Sequence, residues 1–300
     1  MTRESRWAFR DDRDWEVTAS RRPRRIVAYA QAAAVLEDLG LPVAGVFGSV
    51  HDEDGLDPVK AATLAPSGAP YLGAGSSLTA PVILAAEPDL LVSVTYDGKQ
   101  LYGVGPEVAA EVEALVPTVA LGVGAGHRLF SLRDRFVELA RSLGAEPSGD
   151  TASDATHTAL ARSTEELRGT AAEAERVRVM ALSPAGPDRA HVARPGAWPD
   201  LQELTEAGVR LLDMPGPGAN WSTLPWEEVV EAAPDIVLAD VRGNATPIGG
   251  LETVPAWQRL TARATVLPWN PELPCTSGAI SDLFATVSAA LRQKARELTP

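Results

Sequence analysis

The chain has 300 residues, 45% of them hydrophobic and 22% charged, the balance of a globular protein with material for one or two sizeable cores. Its 27 basic and 40 acidic side chains leave a formal charge of −13, which repels phosphate backbones and anionic lipid and excludes nucleic acid as a natural partner. The single cysteine, Cys275, rules out an internal disulfide and a cysteine metal site, and no apolar run approaches the ~20 residues that span a bilayer.

Residues 1–25 carry charges throughout and lack the apolar stretch of ~7–15 residues that a secretory signal needs. The expected location is therefore extracytoplasmic if a signal has been removed, and cytoplasmic if Met1 is the native start. Beyond Arg24, short apolar runs alternate with helical patterns. Arg25–Ala30 reads as a buried strand, Gln31–Leu39 as a helix stopped at Gly40, and Val43–Phe47 as a second strand. Asp89–Val94 is a third strand, preceded by a helix ending near Glu87-Pro88. A helix over Pro106–Leu115 leads to a strand over Thr118–Leu121. Such alternation predicts a parallel sheet covered on both faces.

The spacing of Leu132, Phe136, Leu139, Ala140 and Leu143 predicts a helix over Ser131–Leu143, opened by a Ser131/Asp134 capping box and closed at Gly144. Residues 146–158 read as a polar break and Ala159–Glu175 as a second helix. Alternation then resumes with strands at Arg176–Leu182, Val209–Leu212, Asp235–Ala239 and Thr265–Leu267. Helices are expected at Leu201–Ala207, Pro225–Ala232 and Ile280–Leu298, with a helical turn at Trp257–Leu260. The expected organisation is an N-terminal α/β lobe (21–126), an interlobe helical segment (127–175) and a C-terminal α/β lobe (176–300). One internal echo fits two related halves. Ala85–Val92 (AAEPDLLV) resembles Glu231–Leu238 (EAAPDIVL), each with a helix end, a proline and an aspartate leading into a strand.

Catalytic and metal signatures are weak. The histidines at 51, 127, 157 and 191 have no ligand spacing, and the 51–54 stretch (HDED) is at most a weak hard-cation loop. Gly122–Gly126 (GVGAG) sits between strand and helix, yet His127 stands where a dinucleotide turn needs glycine. There is no G-x-S-x-G nucleophile elbow. Large side chains do collect after strands, where open parallel sheets bind ligands. Tyr29 closes the first strand and Tyr96 follows the third, while Arg194, Trp198, Trp221, Arg242 and Trp269 follow strands of the second half. Arginine with tryptophan suits a large, flat or anionic ligand.

From about Arg21 to Leu298 the chain resembles the siderophore, haem and vitamin B12 substrate-binding proteins of ABC importers. The matching segments are PRRIVAYAQAAAVLEDLGLPVAGV, LAAEPDLLV, SLRDRFVELARSLG, VVEAAPDIVLAD and AWQRLTARATVLPW. The resemblance implies a class III periplasmic-binding-protein-like α/β fold, two Rossmann-like lobes with mainly parallel sheets joined by a long helix. It implies a monomer that binds an iron–siderophore complex of ferric hydroxamate type, with Fe(III) entering only as part of that ligand and no intrinsic cofactor. It also implies an ABC permease as partner, docked through a glutamate on each lobe. Glu227, seven residues before Pro234, matches one such position, whereas the counterpart seven residues before Pro88 is Pro81. The alternative is a cytoplasmic member of the group without a permease, serving as a chelate sensor or store, or as an enzyme of natural-product metabolism.

Overall fold

The computed structural model describes residues 6–52, 55–61, 64, 68–124, 126–145 and 151–298. Glu53 and Asp54 of the carboxylate loop, residues 146–150 of the polar segment and the His157 side chain lie outside the described residues. The chain divides into two compact units, Met1–Gly149 with Pro274–Thr276 and Asp150–Leu273 with Ser277–Pro300.

Unit 1 begins with β1 (Trp7–Arg10) and β2 (Glu16–Ala19), followed by β3 (Ile26–Tyr29), α1 (Ala30–Asp38), β4 (Gly45–Phe47), α2 (Pro58–Ala61) and α3 (Ala80–Ala85). It continues with β5 (Leu90–Thr95), α4 (Pro106–Glu113), β6 (Thr118–Gly122) and α5 (Leu129–Ser142). The sheet order is β4-β3-β5-β6 and every pairing is parallel. All four residues of β3 and all six of β5 are buried, as strands covered on both faces must be. Buried Ala32, Ala33 and Ala34 let α1 lie close to this sheet.

The antiparallel β1–β2 hairpin was not foreseen, because residues 1–25 read only as a charged, signal-free start. Its turn serves the free edge of β6. Asp12 N donates to Ala120 O at 3.0 Å, Ala120 N donates to the Asp11 carboxylate at 3.1 Å, and Gly122 N donates to the Asp12 carboxylate at 2.8 Å. The strand's unpaired edge groups are thus satisfied by the turn and closed to further pairing. Buried Arg13 fastens the arrangement, donating to Asp11 at 2.8 Å, Glu113 at 2.5 Å and Thr118 O at 3.0 Å.

Unit 2 comprises α6 (Thr151–Glu173), β7 (Arg178–Pro184), β8 (Arg189–Ala193), α7 (Pro199–Glu206), β9 (Arg210–Leu211) and β10 (Trp221–Pro225). There follow α8 (Trp226–Glu231), β11 (Ile236–Asp240), α9 (Pro255–Thr261), β12 (Thr265–Trp269) and α10 (Ser277–Leu298). The sheet runs β10-β8-β7-β11-β12, with β9 also beside β7. β7, β9, β11 and β12 are parallel, and β8 and β10 form an antiparallel edge. The core packs Met180, Leu182, Val237 and Ala239 of the sheet under Trp226, Val229, Trp257 and Leu260 of α8 and α9.

Five helix starts differ from expectation by two residues or more, those of α7 and α9 by beginning two residues early, at Pro199 and Pro255. α6 is helical from Thr151, so 151–158 is no break: Ser, Thr and Asp belong to helix starts as readily as to turns. α5 starts at Leu129 rather than at a Ser131 cap, and α10 starts at Ser277 rather than Ile280.

The internal echo is structural. Helices α3 and α8 end at Ala85 and Glu231, short of the proline, and the residues before Pro88 and Pro234, Glu87 and Ala233, adopt φ of 50° and 46°. The left-handed turn costs on the order of 1 kcal/mol at a non-glycine residue. The aspartates that follow tie each turn down: Asp89 accepts Arg24 N at 2.9 Å and Arg25 N at 2.6 Å, and Asp235 accepts Arg178 N at 2.8 Å.

Candidate ligand-binding site

In unit 1 the carboxyl ends of β3, β4 and β5 deliver a row of aromatic rings. Tyr29, fully buried, is tilted against Phe47 with centroids 5.9 Å apart and meets Tyr102 edge-on at 5.3 Å. Tyr102 in turn meets Tyr96 at 4.8 Å, and both are half-buried. Tyr102 was missed in the sequence, although the Tyr102-Gly103 pair marks a sharp bend after β5. Gly103 has φ +81°, and a Cβ there would lie 2.8 Å from Gly48 O and 3.2 Å from the Tyr29 ring. Only glycine lets this loop bring Tyr102 onto Tyr29. The intervening turn is folded by Asp97, which accepts Gln100 N at 2.8 Å, Lys99 N at 2.9 Å and Thr95 Oγ1 at 3.1 Å. Those donors hold its carboxyl below the usual carboxylate range.

The loop after β4 is locked from within. Lys60 Nζ, almost fully buried, donates to the Asp52 carboxylate at 2.9 Å and to Ser49 Oγ at 3.1 Å, while Tyr71 OH donates to Asp52 O at 2.6 Å. Burial alone would raise the pKa of Asp52, but Lys60 and the Ser49 donors outweigh it and hold it low. The glycine run has a packing role: a Cβ on Gly124 would lie 2.1 Å from Tyr96 O, and one on Gly122 would lie 2.4 Å from the His127 ring. Cys275 is buried and desolvation pushes its thiol up to about 12, which leaves it unreactive.

In unit 2 three tryptophans meet at strand ends. Trp198 lies 4.8 Å from Trp221 and 5.9 Å from Trp269 by ring centroids, and Trp221 lies 6.0 Å from Trp269. Trp198 and Trp269 are buried and Trp221 is half-exposed. Trp269 Nε1 donates to Asp200 Oδ2 at 2.6 Å, and burial pushes that carboxyl up to about 6. His191 borders Trp221 at 6.4 Å and bonds Thr223 Oγ1 through Nδ1 at 2.8 Å; burial, with Arg189 nearby, lowers its pKa.

Both candidate arginines are engaged by their own unit. Arg242 donates through Nε and Nη2 to Asp240, at 3.0 and 2.8 Å, and through Nη1 to Glu272 at 2.7 Å. Burial opposes its charge, yet the two carboxylates raise its pKa above that of ordinary arginine. Arg194 Nε donates to Gly218 O at 2.6 Å, its Nη2 donates to Gly216 O, and its Nη1 lies 3.7 Å from the Asp213 carboxylate. Trp198 Nε1 donates to Asn220 O of the same loop at 3.2 Å. Glu227 is exposed on α8 and paired with Arg259 of α9. It is the second residue of α8, just as exposed Pro81 is the second residue of α3. Among the described residues no group of three or more His, Cys, Asp or Glu is placed to hold a metal ion, and no helix is long and apolar enough to cross a membrane.

No protein-family model matches the chain, and no curated protein matches it. Solved structures do. DesE, a ferric-siderophore receptor protein from Streptomyces coelicolor, is 28% identical with a TM-score of 0.85, covering 95% of this chain and 97% of its own. The siderophore periplasmic binding protein from the fuscachelin gene cluster of Thermobifida fusca is 20% identical with a TM-score of 0.63, over 90% of this chain and 97% of that one. A periplasmic haem-binding protein from Pseudomonas aeruginosa is 20% identical with a TM-score of 0.65, over 90% and 92%. The chain therefore has the class III periplasmic-binding-protein-like α/β fold, and its structural neighbours are the siderophore, haem and iron-uptake binding proteins of ABC importers.

Proposed function

We propose that the chain is the substrate-binding component of an ABC importer for iron chelates, that it works outside the cytoplasm, and that its ligand is a ferric siderophore of hydroxamate type. The observation that carries this reading is the likeness to DesE, which runs over nearly the whole of both chains at 28% identity. The aromatic rows agree with it. Tyr96 and Tyr102 in unit 1 and Trp221 in unit 2 are only partly buried, an aromatic character suited to the apolar and π surface of a metal chelate. Iron belongs to the ligand in this reading and the protein supplies the surface that grips it. The proposed lobes, 21–126 and 176–300, fall mainly within units 1 and 2, and the 127–175 helical segment between them in sequence is shared, α5 belonging to unit 1 and α6 to unit 2. Glu227 is the docking contact for the permease, exchanging Arg259 for an arginine of that partner. The likeness to DesE favours uptake over a permease-free cytoplasmic role.

Tryptophan fluorescence tests the reading directly, since Trp198, Trp221 and Trp269 report from the candidate site. The purified protein is titrated with ferric trihydroxamate, ferric tricatecholate, ferric citrate, haem and the iron-free chelators. Saturable submicromolar quenching by the ferric trihydroxamate, absent with its iron-free form, is the expected result. Flat traces across the panel overturn the reading.

A further inference from the structure

An arginine that receives an anion offers its planar fork to the ligand. Neither arginine beside the tryptophans does so. Three nitrogens of Arg242 are spent on Asp240 and Glu272, and the group is buried with both carboxylates. Arg194 is turned onto its own backbone, with Nε on Gly218 O at 2.6 Å and Nη2 on Gly216 O.

The loop Arg194 holds runs from Asp213 to Asn220 and is built to be held. Ser222 Oγ donates to Met214 O at 2.7 Å, and Arg194 N donates to Asn220 O at 2.9 Å. A Cβ on Gly218 would lie 2.0 Å from Trp221 O. The loop ends on Trp221, so Arg194 is placed to set the position of the half-exposed ring.

What the tryptophan cluster offers instead is negative in character. Indole faces attract cations, and beside them the one Arg242 guanidinium is outnumbered by the Asp240 and Glu272 carboxylates, while Arg194 is matched by Asp213. At long range the chain's formal charge of −13 draws cations in and slows anions.

We infer, resting on the ferric-chelate reading above, that the site selects an uncharged or cationic chelate over an anionic one, and that Arg194 is a positioning residue for Trp221 and not an anion receptor.

One iron core in three charge states tests this. A linear ferric trihydroxamate is used with its terminal amine free, acetylated or succinylated, giving one positive charge, none, or one negative charge around an unchanged metal centre. Each is titrated by tryptophan quenching against wild type, Arg194→Ala and Arg194→Lys, at low and high salt. In wild type the cationic form is expected to bind on the order of tenfold tighter than the anionic form at low salt, with the gap narrowing as salt rises. Both variants are expected to weaken all three forms by a similar factor and to shift the emission of the ligand-free protein, because lysine cannot bridge two carbonyls as the guanidinium does.

Equal or tighter binding of the anionic form overturns the charge selection, and this wild-type comparison stands even if a variant fails to fold. Loss confined to the anionic form in Arg194→Ala, with the ligand-free emission unmoved, overturns the positioning role. Binding of none of the three while the tricatecholate of the wider panel binds overturns the inference and the hydroxamate part of the parent reading but leaves iron-chelate binding standing; silence from every chelate removes the parent reading as a whole.

Discussion

Trp269 and Asp200 stand 69 positions apart in sequence, yet a 2.6 Å hydrogen bond joins them in the interior of unit 2. Asp200 is the second residue of α7 and Trp269 the last of β12, so the bond fastens a helix start to a strand end. Burial raises the Asp200 carboxyl from 3.8 to about 6, which means its ionised form is disfavoured in the folded state. The cost of ionising it is fully present above the folded value and fades as pH falls through about 6 towards the unfolded value. Asp200→Asn keeps an acceptor for the indole and removes the titration. The melting temperature of the variant is expected to exceed that of wild type near pH 8, with the difference shrinking towards about pH 4.5. A difference that is constant across that range, or that grows on acidification, would contradict the account.

Arg13 is the tie of the N-terminal hairpin, and its removal leaves Asp11 buried without its guanidinium. Arg13→Met is expected to cost roughly 3–5 kcal/mol, the range for breaking a buried ion pair from one side. Urea unfolding at neutral pH reads this as a lower midpoint. A loss under about 1 kcal/mol would mean that the hairpin is fastened by its apolar residues Trp7, Phe9 and Val17 instead.

Gly103 and Tyr102 should separate structure from contact in unit 1. Gly103→Ala places a methyl group 2.8 Å from Gly48 O at a φ of +81°, so it should displace the Tyr102 ring and lower stability. Tyr102→Phe keeps the ring, and the expected outcome is chelate binding within about threefold of wild type, against a loss of about tenfold or more for Tyr102→Ala. Equal affinities for the alanine and phenylalanine variants would remove Tyr102 from the site.

Glu227→Gln should split binding from delivery. The residue is exposed on α8, away from the tryptophan cluster in the fold of unit 2, so chelate affinity should be unchanged while uptake through a reconstituted permease falls. A loss of affinity would move Glu227 out of the docking role.

Ser288 offers a test of stability alone. Its hydroxyl is buried within α10 and has no hydrogen-bond partner among the described residues. Ser288→Ala removes an unsatisfied polar group and adds helix propensity, so it should raise stability by up to about 1 kcal/mol in thermal or urea unfolding. A destabilised variant would show that the hydroxyl is satisfied in solution.

The parallel strands were legible because they are buried on both faces and read as unbroken apolar runs. β3, β5, β7 and β11 were placed within one or two residues for that reason. β8 and β10 were not found, since an antiparallel edge of five residues alternates polar and apolar side chains and blends into the surrounding proline and glycine. The hairpin was missed because what holds it is polar chemistry, buried Asp11 and Arg13 with half-buried Asp12, which in sequence looks like a solvated charge run. The clustering of Trp198, Trp221 and Trp269 was readable only as a shared position after strands. That Arg194 bonds the 213–220 loop and Arg242 reaches Glu272 was not readable, since no local pattern fixes the paths that bring those partners close, whereas the Asp240/Arg242 pair stands two residues apart in the sequence.

Unit 1 takes its first strands from residues 7–19 and its last piece, Pro274–Thr276 with the buried Cys275, from near the other end of the chain. A ribosome delivers ~5–20 residues per second. Asp12 therefore waits roughly 6–25 s for Arg135, made 123 residues later, and the unit stays incomplete until Pro274–Thr276 has been made. A nascent chain interrupted anywhere between Arg135 and Thr276 thus carries a unit 1 in which the hairpin is already fastened but the closing Pro274–Thr276 piece is missing.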